Sequence, residues 1–202
     1  MAQEGPVKKK IGVLALQGDF EAHEKALARA GAEPVEVRSA EDLQNVDGLV
    51  IPGGESTTMW KLLVEENLLQ PLREFGARRP IFGTCAGAIL LASDVSNPPQ
   101  PSLGLMDIDV ERNAYGRQLE SRIATLQPEG LKGDLEAVFI RAPIIRRVGG
   151  DAKVLARYRG IRFWWSKAAI WWPLFIPSSP AIPAFTLCSW IKYSSLSALD
   201  LT

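Results

Sequence analysis

The residues best suited to chemistry lie in Pro80-Ile81-Phe82-Gly83-Thr84-Cys85-Ala86-Gly87-Ala88-Ile89-Leu90-Leu91. A short apolar run enters a turn that carries a cysteine between two glycines, then opens into a helix of small and apolar residues. This is the layout of a nucleophile elbow, a sharp strand-to-helix turn that lifts its reactive side chain above a sheet edge, here with Cys in place of Ser. A thiol at a helix N-terminus feels the positive end of the helix dipole, so Cys85 is expected to lean toward thiolate and to act as a nucleophile near neutral pH. The plainer reading of the same residue is a small buried hydrophobe at a strand-helix junction.

The elements that must position this thiol are legible upstream. Ile11-Gly12-Val13-Leu14-Ala15-Leu16 is nearly all apolar, as a parallel strand covered on both faces should be. A turn at Gln17-Gly18-Asp19 follows, Asp19 is placed to cap a helix over 20–30, and Gly31 is placed to end it. Pro34-Val35-Glu36-Val37 and Leu49-Val50-Ile51-Pro52 read as further strands, the second feeding Gly53-Gly54-Glu55-Ser56-Thr57-Thr58 and a helix over 57–66, with more helix to about Arg78. This alternation predicts an α/β fold, a three-layer, doubly wound and mostly parallel sheet whose ligand sites lie outside the carboxyl ends of the strands. Gln17-Gly18, Gly53-Gly54 and Cys85 all fall at such ends. Gly53-Gly54 lacks the Gly-Lys-Ser/Thr of a phosphate loop, whereas the N–H groups of Gly53, Gly54 and Ala86 together would suit an oxyanion hole.

Beyond Ala92, Asn97-Pro98-Pro99-Gln100-Pro101 reads as a loop, and strands are expected near 105–110 and 137–140. Arg112 and Arg141 each follow one of these; such arginines are either solvated ends or a bidentate clamp for a carboxylate. The 202 residues suffice for one domain. A net charge of zero gives no footprint for nucleic acid or an anionic membrane. Two cysteines, Cys85 and Cys188, with no secretory leader, suggest a reduced, cytoplasmic setting and not a disulfide framework. The site as read calls for no metal and no cofactor.

Five stretches carry a resemblance: Leu14-Ala15-Leu16-Gln17-Gly18-Asp19, Pro52-Gly53-Gly54-Glu55-Ser56-Thr57-Thr58, Gly83-Thr84-Cys85-Ala86-Gly87, Glu111-Arg112-Asn113-Ala114-Tyr115-Gly116-Arg117-Gln118 and Phe139-Ile140-Arg141-Ala142-Pro143. Over residues 10–160 the chain resembles the glutaminase subunits of pyridoxal 5'-phosphate synthase, which are class I, triad-type glutamine amidotransferases. The resemblance implies that Cys85 attacks the carboxamide of L-glutamine, and that Gly54, Glu55, Ser56, Arg112, Ile140 and Arg141 bind that substrate. It implies as well that the ammonia passes to a partner synthase subunit.

Hydrolysing an amide through a thioester needs a histidine to take the thiol proton and protonate the leaving ammonia. The family has it in a Phe-His-Pro-Glu motif near the C-terminus. This chain lacks that motif, and its one histidine, His23, matches a non-catalytic helix position; it is expected to be a surface or subunit-contact residue. From Ile161 the composition changes: five of the six tryptophans lie beyond it, and residues 168–190 carry no charge. Pro173, Pro177, Pro180 and Pro183 argue against a membrane span.

Leu174 to Pro180 can be back-translated as CTT TTC ATC CCG AGC TCA CC. Read two bases in, it gives TTT CAT CCC GAG CTC ACC, or Phe-His-Pro-Glu-Leu-Thr. The same offset carries family-like residues on through 181–190. The expectation is a frameshift close to Gly160, leaving an amidotransferase domain over 1–160 and an aberrant, irregular, poorly packed tail over 161–202. Two alternatives stand beside a frameshifted glutaminase, whose chain as written is expected to have little or no activity: a subunit that keeps the glutamine pocket without its base, and a different cysteine hydrolase that recruits His23.

Overall fold

The computed structural model describes residues 8–113, 122–126, 135–139, 143–150, 153–158, 161–167 and 170–173. Strand β1 (Lys10–Leu14) leads into helix α1 (Phe20–Arg29) and strand β2 (Glu33–Val37). Strand β3 (Gly48–Ile51) is followed by helices α2 (Ser56–Glu65) and α3 (Leu69–Gly76), then by β4 (Ile81–Gly83) and α4 (Ala86–Leu91). The remaining strands are β5 (Ala92–Ser96), β6 (Met106–Glu111), β7 (Arg122–Leu126), β8 (Leu135–Phe139), β9 (Ile144–Val148), β10 (Lys153–Tyr158), β11 (Ile161–Lys167) and β12 (Ile170–Pro173).

Seven strands form the main sheet in the order β10-β11-β12-β4-β3-β1-β2. From β2 to β12 every pairing is parallel; β10 and β11 extend it antiparallel. The mostly parallel sheet expected from the strand-helix alternation is therefore present. The chain leaves β1 for β2 in one direction and β3 for β4 in the other, so right-handed crossovers put α1 and the α2–α3 pair on opposite faces. That reversal makes β1/β3 the switch point where doubly wound sheets bind ligands. Ile11, Val13, Leu14, Leu49, Val50, Ile51, Ile81 and Phe82 are all buried, which is why these strands read as unbroken apolar runs. A smaller sheet, β5-β6-β9, and the β7-β8 hairpin pair lie outside the main one.

Two local expectations need correction. Asp19 is the N-cap of α1, but its side chain makes no capping bond; its backbone N–H instead donates to Gly53 O at 3.1 Å, so the turn serves the sheet rim and not the helix end. Gly31, at φ +88°, does close α1, and the Ala32 N–H reaches back to Leu27 O at 3.0 Å. Helix α2 begins one residue earlier than expected because Glu55 caps it, accepting from the N–H groups of Thr57 (3.2 Å) and Thr58 (2.6 Å).

The larger correction concerns the tail. Residues 161–167 and 170–173, expected to be irregular, are strands in the main sheet; β12 lies parallel beside β4, with Ile170 opposite Ile81 and Trp171 opposite Phe82. The physical reason is that Ile161-Arg162-Phe163-Trp164-Trp165 and Ile170-Trp171-Trp172 are built from β-branched and aromatic residues, which suit a pleated surface whatever their side-chain partners. The rest of the expected tail, 174–202, lies outside the described residues. Among the described residues no helix is long and apolar enough to cross a membrane.

Strand β12 sits between β11 and β4, so it can be tested by removing one ladder donor. Trp171→Pro should lower the thermal midpoint by roughly 3–10 °C, the effect of one buried carbonyl left unpaired in a chain of this size. Circular dichroism melts read it, and an unchanged midpoint would remove β12 from the sheet.

Candidate active site

The elbow is a tight steric object. Cys85 follows β4 with φ +47° and ψ −100°, a conformation that a residue with a side chain rarely adopts and that costs of order 1–3 kcal/mol. It is held by its neighbours: Thr84 N–H donates to Ile51 O at 3.0 Å, and Gly87 N–H donates to Thr84 O at 2.8 Å. Gly87 packs so closely on β3 that a Cβ there would sit 2.2 Å from Ile51 O and 2.9 Å from its carbonyl carbon. Only glycine lets α4 lie against the strand and keep the turn sharp.

Beside the elbow, the other two glycine turns meet at the switch point. Gly18, at φ +101°, lies so near Gly53 that a Cβ on it would fall 2.0 Å from Gly53 O. Gln17 Oε1 accepts from Glu55 N–H at 2.9 Å, and a Cβ on Gly54 would come within 2.5 Å of that oxygen. The turns at 17–18 and 53–54 are thus in direct contact, on the rim that carries Cys85 at the end of the neighbouring strand.

The expected thiolate is not what this environment favours. Burial pushes the Cys85 thiol above its ordinary pKa, and the one opposing influence is the Ala86 N–H, which donates to the sulfur. A six-residue α4 contributes a short dipole, while desolvation disfavours the charged form of the half-buried sulfur. Cys85 is therefore a thiol at neutral pH and needs a base to become a nucleophile.

Of the expected substrate-binding residues, Glu55, Ser56 and Arg112 come together. Arg112, just past β6, is nearly buried; its Nη2 donates to Thr57 Oγ1 at 3.1 Å and lies 3.5 Å from Glu55 Oε1. Its own N–H donates to Ser96 O at 2.9 Å, which fixes the end of β6 beside β5. It is thus a paired group and not a solvated strand end. Burial alone would raise the Glu55 pKa, but bonds from the hydroxyls and N–H groups of Thr58 and Thr57 prevail and hold the carboxyl down to about 2. Ser56 is buried and its hydroxyl donates to Gln100 Oε1 at 2.9 Å. Gln100 was visible in the sequence only as part of a proline-rich loop, and it closes this wall from 44 residues away. Gly53 and Gly54 form the β3–α2 turn, and Ala86 opens α4. Ile140 and Arg141 lie outside the described residues. Among the described residues no group of three or more His, Cys, Asp or Glu side chains is placed to hold a metal ion.

His23 is not the surface residue expected. It is 2 % exposed, with Nε2 3.1 Å from Thr84 Oγ1 and Nδ1 without a partner. Burial lowers its pKa to about 4, against a smaller upward pull from Asp19. A signal for this was present: His23, Ala26 and Leu27, all buried, share the i, i+3, i+4 face of α1.

A doubly wound sheet with a cysteine elbow beside its switch point is the fold of the glutamine amidotransferases. A crystal structure described as a glutamine amidotransferase superposes with a TM-score of 0.85 at 41 % identity, covering 92 % of this chain and 98 % of that one. The structure of PurLQS from Thermotoga maritima shares the fold alone, with a TM-score of 0.66 at 16 % identity, covering 96 % of this chain and 100 % of that one. The chain belongs to the SNO glutamine amidotransferase family, whose profile matches residues 13–162. It is 60 % identical over 158 residues to the pyridoxal 5'-phosphate synthase subunit PdxT of Solibacter usitatus, covering 75 % of this chain and 82 % of that one. It is 57 % identical over 151 residues to the same-named subunit of Pelotomaculum thermopropionicum, covering 74 % and 77 %.

Two outcomes follow from this geometry. Gly87→Ala should cost about 1–3 kcal/mol or more by overpacking against the Ile51 carbonyl, and should slow alkylation of Cys85 by distorting the turn; urea titration and a labelling time course measure both. His23 binds a proton at about 4 when folded and at 6.5 when unfolded, so its contribution is complete above pH 6.5 and is lost as pH falls toward 4. Between pH 7 and pH 4.5 the protein should lose about 2–3 kcal/mol through this group, and a His23→Leu variant should lack that share of the slope.

Proposed function

We propose that the chain is the glutaminase subunit of a pyridoxal 5'-phosphate synthase, hydrolysing L-glutamine to glutamate and ammonia in the cytoplasm and passing the ammonia to a synthase subunit. The observation that carries this reading is the Cys85 elbow, held sharp by Gly87 against Ile51 O at the carboxyl rim of the sheet. Membership of the glutamine amidotransferase family and the names of its relatives supply the substrate and partner.

In this mechanism the Cys85 sulfur attacks the carboxamide carbon of glutamine while its proton passes to a base. N–H groups of Gly53, Gly54 and Ala86 receive the developing oxyanion. The tetrahedral intermediate collapses, the C–N bond breaks and the base returns its proton to the departing ammonia. Water then attacks the thioester, releasing glutamate and restoring the thiol. Gly54, Glu55, Ser56, Arg112, Ile140 and Arg141 hold the amino acid. The Arg112 guanidinium suits the substrate carboxylate, and the Glu55 carboxylate, still charged at neutral pH, suits its ammonium group.

The base is the open element. His23 cannot fill the role: its Nε2 is engaged with Thr84 and its pKa is too low to accept a thiol proton efficiently. This argues against a hydrolase that recruits His23. One observation supports a frameshift close to Gly160 as the cause of the missing base. The family match ends at residue 162, where the composition changes. Strand β12 ends at Pro173, two residues past the pairing of Trp171 with Phe82, and lies beside the strand that leads to Cys85. Leu174 to Pro180, whose codons accommodate Phe-His-Pro-Glu in the other frame, follows it in the chain.

The experiment compares two proteins in the presence of the synthase subunit: the chain as given and a frame-restored chain carrying Phe-His-Pro-Glu. The restored chain should release ammonia from glutamine, and the chain as given should be slower by about a hundredfold to ten-thousandfold, the usual worth of general acid-base help. Equal rates would show that another group supplies the base. Absence of ammonia from both would overturn the glutaminase reading, and resequencing across the Gly160 codon decides the frame.

A further inference from the structure

His23 has no part in the mechanism above, yet it is the costliest residue on the buried face of α1. Its ring is enclosed and, among the described residues, Nδ1 has no partner; a leucine would pack beside Ala26 and Leu27 with no ring nitrogen to satisfy, but would strip the buried Thr84 hydroxyl of its imidazole contact. Packing alone therefore does not account for it. What the imidazole does have is one polar contact, Nε2 to the hydroxyl of Thr84 at 3.1 Å, and Thr84 is itself 1 % exposed.

Thr84 is the residue on which the elbow hangs. Its N–H is bound to β3 through Ile51 O and its carbonyl to α4 through Gly87 N–H, and the strained Cys85 follows it directly. The contact from His23 adds a third anchor, from a third element. With the proton on Nε2, the ring donates to Thr84 Oγ1, its polar partner among the described residues, and leaves Nδ1 as a bare lone pair. Helix α1 also touches the other side of the site, since Asp19 at its start donates to Gly53 O. One helix thus joins the glycine turn at 53–54 to the cysteine turn at 85.

We propose that His23 is a positioning residue: as a neutral donor to Thr84 it fixes the Thr84–Cys85 peptide, and with it the direction of the Cys85 sulfur relative to the turn at Gly53 and Gly54. This rests on the reading of Cys85 as the nucleophile. The role needs a hydrogen-bond donor at the Nε2 position and a hydroxyl at 84, and it needs no proton transfer by the ring.

The test is the second-order rate of Cys85 alkylation by iodoacetamide at one fixed pH, in the full chain, read by peptide mass mapping that separates Cys85 from Cys188. This reaction forms a thioether, expels iodide and releases the thiol proton to solvent, so it needs no triad base. His23→Leu and Thr84→Val should each slow labelling severalfold, because the sulfur loses the fixed direction that presents it at the rim. His23→Gln and Thr84→Ser, which restore donor and hydroxyl, should recover most of the loss. The His23→Leu/Thr84→Val double variant should be no slower than the slower single one within about threefold, because both remove the same contact.

Additive losses, or a glutamine variant that folds but recovers nothing, would reduce His23 to a packing residue and overturn the proposal. So would wild-type rates in a folded Thr84→Val protein, which matches threonine in shape and carries the test where His23→Leu fails to fold. If wild-type Cys85 is not labelled at all under conditions that label Cys188, the nucleophile reading itself falls, and this proposal with it.

Discussion

The contact between Gly87 and the carbonyl of Ile51 governs the arrangement of the site. Because a Cβ at position 87 would lie 2.2 Å from that oxygen, α4 can approach β3 only through a glycine, and the approach leaves no room for a relaxed turn between β4 and α4. Cys85 takes up the difference with a backbone conformation that residues with side chains avoid. Strain of this kind survives only when its surroundings over-determine it. Here β3, α4 and α1 all bind Thr84, the residue before it.

Electrostatics divide the same rim into two regions. Around the half-buried Cys85, desolvation pushes the thiol above its ordinary pKa. Around Glu55 the start of α2 offers N–H groups and hydroxyls that keep a carboxylate ionised, with Arg112 beside it. A thiol next to a charged wall fits the proposed glutamine substrate, whose amide would be attacked while its charged groups are held. Because burial raises the thiol's pKa, the proposed attack by Cys85 calls for a base.

Much of this was legible in the chain because parallel strands buried on both faces have no choice but to be apolar, and the turns between them are marked by glycine. Ile11 to Leu14, Leu49 to Ile51 and the elbow were therefore readable one by one. The misses have physical reasons of their own. Asp19 looked like a cap because of its type, but its backbone is used on Gly53. Glu55 caps α2 although glutamate is an uncommon choice for that position. His23 was judged by its polarity, while its spacing from Ala26 and Leu27 placed it inside. Gln100 reaches Ser56 across a distance in sequence that local patterns do not register. The strands β11 and β12 were hidden by the prolines and missing charges that follow them, since backbone pairing asks only for residues that tolerate a pleat.

Strand β2 ends the main sheet on the side away from β12. Glu33 N–H bonds to Lys9 O and Val37 O accepts from Ala15 N–H, so the odd-numbered residues of β2 turn their peptide groups to β1, while Pro34 and Glu36 turn theirs outward. An open sheet edge is a template for a second chain, and this one presents a residue with no N–H followed two places on by a charge. The proline therefore costs the fold no ladder bond while denying a donor to any intruding strand. The sheet that holds the elbow strand thus ends, on the β2 side, in an edge that other copies of the protein cannot easily extend into an aggregate.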